Sequence, residues 1–260
     1  MASDSSSILR YVNILFFTLT VVVNSLAGST TILGGQLTSA VSDANPTLIT
    51  PAGYVFSIWG IIYLLLGIFV VYQALPSQKG KEYQRKIGWL FALSSLINIL
   101  WIFLWQYNYL SVSVALIFAL LVTLILIYVR LGIGKLGVTL RERLAVHLPF
   151  SVYLGWITVA SIANVAVALV SLGWDGFGIS PETWAILVVA IALIITILML
   201  IIRKDVAYSL VIIWALVGIG VKQSGNQTIL MLAEISVFIV TVALVATVLV
   251  SRLRKKPNAA

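Results

Sequence analysis

The sequence predicts an all-α, polytopic helical membrane protein with about eight transmembrane helices, and three observations predict it. The chain has 260 residues, 61% hydrophobic and 9% charged, with a mean hydropathy of +1.12, outside the balance of a soluble domain. Apolar runs of about 20 residues, the length that spans roughly 30 Å of hydrocarbon, recur along nearly the whole chain. The basic residues cluster in alternate polar breaks, as the positive-inside rule requires of an even number of spans. The predicted spans are 9–28, 51–75, 87–106, 109–130, 144–171, 182–202, 206–222 and 228–252.

The first span follows the polar segment MASDSSSILR and has no A-x-A-like site at a suitable distance. It is expected as a retained helix, not a signal peptide. Between Gly28 and Thr50 runs a loop without Lys or Arg. A loop of about twenty residues is unusual in a compact bundle and leaves two readings open, a lid or binding loop and a mobile linker. The second span opens as TPAGYVFSIWGIIYLLLG from Thr50, crowding Tyr54, Phe56, Trp59 and Tyr63 at the mouth of an apolar helix.

In the third span, SLINILWIFLWQY places Asn98, Trp101 and Trp105 on one helical face. The fourth is an apolar run closed by Arg130. The fifth, HLPFSVYLGWITVASIANVAV, sets Tyr153, Trp156, Ala160, Ala163 and Asn164 along one stripe, with Gly155 and Ser161 close by. Asparagine faces lipid only at a cost, so Asn98 and Asn164 are expected to point into the bundle. Pro149 is expected to bend or start this helix, and the lone His147 is read as an interfacial residue, not a haem ligand. Ser180, Pro181 and Glu182 form an N-cap signature for the sixth span. Lys222 ends the seventh. Glu234 in the eighth is the acid read as lying well within a span, and an ion pair with Lys222 or a protonated carboxyl is the simpler account of it.

The formal net charge is +8, yet every basic residue except Lys222 falls on one side of the eight-helix plan. That places both termini in the cytoplasm, with the cell membrane as location and the bilayer as partner. The basic excess then serves topology and anionic-lipid contact and not nucleic acid. Without cysteine there is no disulfide, thiolate metal site or thiol nucleophile. No His/Cys/Asp/Glu cluster and no Ser/His/Asp set is apparent, so the protein is expected not to be an enzyme, with no catalytic residue, no metal and no required cofactor. Lys222 at a helix end, with no helix-three carboxylate as counter-ion, argues against a retinal photoreceptor. The rival reading is a secondary transporter of a small hydrophobic or amphipathic molecule, although the helices do not form two similar halves.

Three of these segments together resemble the TspO/MBR family of tryptophan-rich sensory and translocator proteins. Pro51, Ala52, Gly53, Tyr54 and Val55, then Ile58, Trp59, Tyr63 and Gly67, follow the family's helix-two pattern. Ile97, Asn98 and Trp101 match helix three in part, and Tyr153, Trp156 and Asn164 match helix five. Ala52 stands for the second proline, Tyr54 for the first tryptophan, Ser94 for a glutamine and Val152 for the helix-five proline. The resemblance implies a five-helix bundle over residues 8–171, followed by a three-helix C-terminal extension over 172–253. It also implies a pocket under the first loop that binds porphyrins and other flat apolar molecules, for sensing or stress response, and a homodimer. Pro51, Gly53, Tyr54, Trp59, Tyr63, Asn98, Trp101, Tyr153, Trp156, Ala160, Ala163 and Asn164 are its expected ligand-binding residues. The physical logic stands beside it, because aromatic faces stack on planar ligands and small residues leave room for a ring.

Overall fold

In the computed structural model, which describes residues 2–253, eight apolar helices follow the predicted order. They are α1 (Ala2–Ser29), α2 (Gly53–Ala74, opening with a 3-10 turn over Gly53–Ser57), α3 (Leu90–Gln106), α4 (Leu110–Leu131), α5 (Leu140–Ser171), α6 (Pro181–Arg203), α7 (Val206–Lys222) and α8 (Gln227–Leu253). Six of the eight are long and apolar enough to cross a membrane, with Ile8–Ser29 as the part of α1 that qualifies. The other two, α3 and α7, are apolar helices of 17 residues, each about 26 Å long at 1.5 Å per residue. The protein is a polytopic helical membrane protein.

Local chemistry fixes the helix ends. Ser180 Oγ accepts the N–H of Thr183 at 3.2 Å and Pro181 takes the first helical position, so α6 starts where the sequence predicts. Gly132, with φ of 67°, closes α4 in the left-handed conformation that glycine adopts freely. The fifth helix begins earlier than expected, because Thr139 Oγ1 caps Glu142 N–H at 3.2 Å. It then widens into a π turn over Arg143–His147, just before Pro149. Proline has no N–H for the usual bond to the carbonyl four residues back, and the wider turn carries the helix past it without a break.

Packing closes α1, α2, α5, α4 and α3 into a ring, in which α1 meets α2 and α3, α3 meets α4, α4 meets α5 and α5 returns to α2. A second layer covers one side: α7 packs on α5, α8 on α7, and α6 on α8. The contact between α5 and α7 is close because Gly155 faces Tyr208 and Val211, where even a Cβ would stand only 3.1 Å from Val211 Cβ. The first loop is folded, with a short helix over Thr38–Asp43 whose Thr38, Val41 and Ser42 are buried.

Candidate functional site

Trp59, one helical turn into α2, is the hub of an aromatic cluster. Its ring centroid lies 5.7 Å from Tyr63, stacked at 17°, 6.0 Å from Trp101, 6.2 Å from Tyr153 and 6.1 Å from Trp156. Stacked, tilted and edge-on pairs at these separations are favourable arrangements of ring quadrupoles. Trp101, Tyr153 and Trp156 are buried, whereas Trp59 and Tyr63 are half-buried.

Both asparagines point into the bundle and bond other helices. Asn98 Nδ2 donates to Tyr153 Oη at 3.0 Å, and its Oδ1 accepts from Asn24 Nδ2 at 2.7 Å. Asn164 Oδ1 accepts from Trp101 Nε1 at 2.8 Å, and its Nδ2 donates to Ser113 Oγ at 2.9 Å. Two buried donors in the cluster, Trp156 Nε1 and Tyr63 Oη, have no hydrogen-bond partner among the described residues. Ala160 and Ala163 share the cluster's side of α5 and are half-buried.

The remaining expected site residues turn elsewhere. Pro51 is buried against Gly218 of α7, Gly53 is exposed, and Tyr54 meets Trp214 of α7 edge-on at 5.5 Å. The second layer thus grips the mouth of α2: Ala52 N–H donates to Gly218 O at 3.1 Å, and Trp214 Nε1 donates to Val55 O at 3.1 Å. The crowding of aromatics there serves two directions, Trp59 and Tyr63 inward and Tyr54 toward α7.

The first loop is held over the end of α3. Trp105 Nε1 donates to Thr38 O at 3.0 Å, and Gln106 Nε2 donates to Ala27 O and Gln36 O, both at 3.0 Å. Lys222 Nζ reaches Asp43 Oδ1 at 2.6 Å. The loop is therefore packed against α3 and α7, not a mobile linker.

Beside these residues, on the far face of α5, lies an apolar cavity of about 810 Å³. Its α5 wall includes Thr158, Ser161, Ile162, Val165, Ala166 and Leu169, a stripe roughly half a turn from that of Tyr153, Trp156, Ala160 and Asn164. Phe118 of α4 and Ile191 of α6 line its sides. Trp174 and Trp184, with centroids 5.3 Å apart, stand at its outer end beside Thr47 and Leu48 of the first loop.

The family model described as TSPO-like protein matches residues 10–250. The chain belongs to the TSPO-like protein family. The match runs through all eight helices, including the second layer that grips the mouth of α2. Comparison with curated proteins and with solved structures finds no significant match.

Two features of this TSPO-like protein correct the sequence reading. Lys222 pairs with Asp43, not Glu234, and Glu234 is exposed on α8 with no ion pair among the described residues. Among the described residues the buried acid is instead Asp205, only 6% exposed, and His147, expected at the interface, is buried as well at 5%. Asp205 Oδ1 caps α7 through Tyr208 N–H at 3.0 Å, and its Oδ2 accepts from Tyr128 Oη and Ser151 Oγ, each at 2.8 Å. A buried carboxylate is tolerated where its oxygens are met in this way. Asp205 directly precedes the first residue of α7, the N-cap position that would have revealed it.

Proposed function

We propose that this TSPO-like protein binds and senses a planar hydrophobic ligand of the tetrapyrrole class, and that it is not an enzyme. It would sit in the cell membrane with both termini cytoplasmic, an orientation supported by the one-sided distribution of Lys and Arg. The observation that carries the reading is the half-buried, stacked Trp59–Tyr63 pair, bordered by two buried donors without partners among the described residues, Trp156 Nε1 and Tyr63 Oη. A flat ring extends that stack, and acceptor groups on its edge meet the two donors. Asn98 and Asn164 hold Tyr153 and Trp101 in position around it.

A second reading seats the ligand in the cavity on the far face of α5, favoured by its volume of about 810 Å³, within the range of small-molecule sites. Protoporphyrin IX titrated into detergent-purified protein, followed by the porphyrin's own absorbance, separates the two. Saturable binding that weakens in Trp59→Leu and Tyr63→Leu but survives Ala166→Phe supports the ring cluster. The reverse pattern moves the ligand to the cavity. A non-saturating signal unchanged in every variant means partitioning into detergent and overturns the proposal.

A further inference from the structure

A second pocket, of about 210 Å³, lies at the other end of the bundle, where the start of α1, the end of α2 and the connection to α3 meet. Its walls carry Arg10, Lys81 and Arg85 together with the amides Asn13, Gln73 and Gln84, and none of the described residues that line it is acidic. The amides are 2%, 2% and 7% exposed. They bond one another in part: Asn13 Nδ2 donates to Gln73 Oε1 at 3.0 Å, and Gln84 Nε2 donates to Gln73 O at 3.0 Å. Each is left with one unmet atom, the donor Gln73 Nε2 and the acceptors Asn13 Oδ1 and Gln84 Oε1. Buried polar atoms are nearly always satisfied, so three orphans around one pocket point to a missing partner.

The missing partner has a definable chemistry. It offers an acceptor to Gln73 and donors to Asn13 and Gln84, and the cationic Lys81 and Arg85 of the lining favour an anion. A phosphate carrying neighbouring hydroxyls meets all of these conditions at once. The pocket also adjoins lipid. Trp89 stands on its rim and is 62% exposed, and from it Leu93, Leu96 and Leu100 run up α3 as a stripe that is 43%, 41% and 46% exposed. Their spacing keeps them on one helical face, an apolar track leading from the pocket along the membrane-facing side of α3, with an interfacial tryptophan at its foot.

We infer that this pocket binds the hydroxylated phosphate headgroup of an anionic phospholipid, such as a glycerol or inositol phosphate, whose acyl chains follow the Trp89–Leu93–Leu96–Leu100 track. Residues on α1, α2 and the α2–α3 connection join in one site, so an occupied pocket clamps the two helices together at this end.

Native mass spectrometry of the full chain in detergent tests it, with phosphatidylglycerol, phosphatidic acid and phosphatidylcholine of matched chains, and glycerol 3-phosphate as the free ester. Phosphatidylglycerol should be retained best and phosphatidic acid, which lacks the headgroup hydroxyls, less well. The double variant Lys81→Ala/Arg85→Ala should lose about tenfold or more in phosphatidylglycerol affinity. Gln73→Glu, which keeps the side-chain shape and adds a like charge, should lose it too while retaining the wild-type helical spectrum. Arg130→Ala/Lys135→Ala, which removes the same charge away from the pocket, should leave it unchanged. Equal retention of phosphatidylcholine, or equal loss in the control pair, overturns a specific site. Binding of glycerol 3-phosphate as tight as that of the lipid overturns the lipid as occupant.

Discussion

Gly218 of α7 and Val55 of α2 touch so closely that a Cβ at position 218 has no room. The contact stands beside the bond from Ala52 N–H to Gly218 O. Gly218→Ala should therefore destabilise the protein by about 1–3 kcal/mol, as overpacking does. Val55, fully buried, is the side chain that must yield. Thermal unfolding in detergent should show Gly218→Ala/Val55→Ala more stable than Gly218→Ala alone; a double variant no better than the single would mean that the backbone cannot shift and that Val55 is not the obstacle.

Asp205 should be the most sensitive polar residue of the interior. Asp205→Ala removes the cap of α7 and strands the hydroxyls of Tyr128 and Ser151, at a cost of about 3 kcal/mol. Asp205→Asn keeps an equally good cap and should fall between wild type and alanine in the same melt. Equal melting of all three proteins would remove Asp205 from the stabilising network.

The bond from Trp101 to Asn164 crosses between α3 and α5. A cycle of Trp101→Phe, Asn164→Leu and the double variant should give a coupling of about 0.6 kcal/mol, the usual worth of an interhelical bond in a membrane. Additive single effects would assign Asn164 to Ser113 alone.

The Lys222–Asp43 pair is partly solvated, with side chains 22% and 55% exposed. Asp43→Asn should change stability by less than about 1 kcal/mol and should instead raise proteolytic cleavage within the first loop. In the same assays Glu234→Gln should leave both stability and porphyrin binding unchanged. A transporter coupled through that carboxyl would lose substrate flux in the variant.

Much of the architecture was legible because it rests on local rules. Hydropathy sets the eight helices, and Ser180 with Pro181 marks the start of α6 one residue before the predicted span. The cluster was legible in part, since Asn98, Trp101, Tyr153, Trp156 and Asn164 repeat at helical spacing and so must share faces. What spacing cannot supply is the partner across the fold. Tyr54 finds Trp214, and Lys222 finds Asp43, 179 residues away in the chain. Topology puts Lys222 and Glu234 on the same side of the membrane, but that alone does not bring their side chains together. The cavity was hidden for a different reason. Ser161, Val165 and Ala166 read like ordinary packing residues, and only the position of α6, seated on α8, leaves the space beside them open.

That space is flanked by Phe118 on α4 and Ile191 on α6, which are 45% and 57% exposed, while the first loop is fastened to the end of α3. On the second reading above, a ligand seated beside α5 would enter between Phe118 and Ile191, sideways from the bilayer. For such a ligand, adding lipid at a constant total amount of compound would lower the concentration per lipid and with it the occupancy, and a compound's lipid solubility would count toward its potency before a single contact is made.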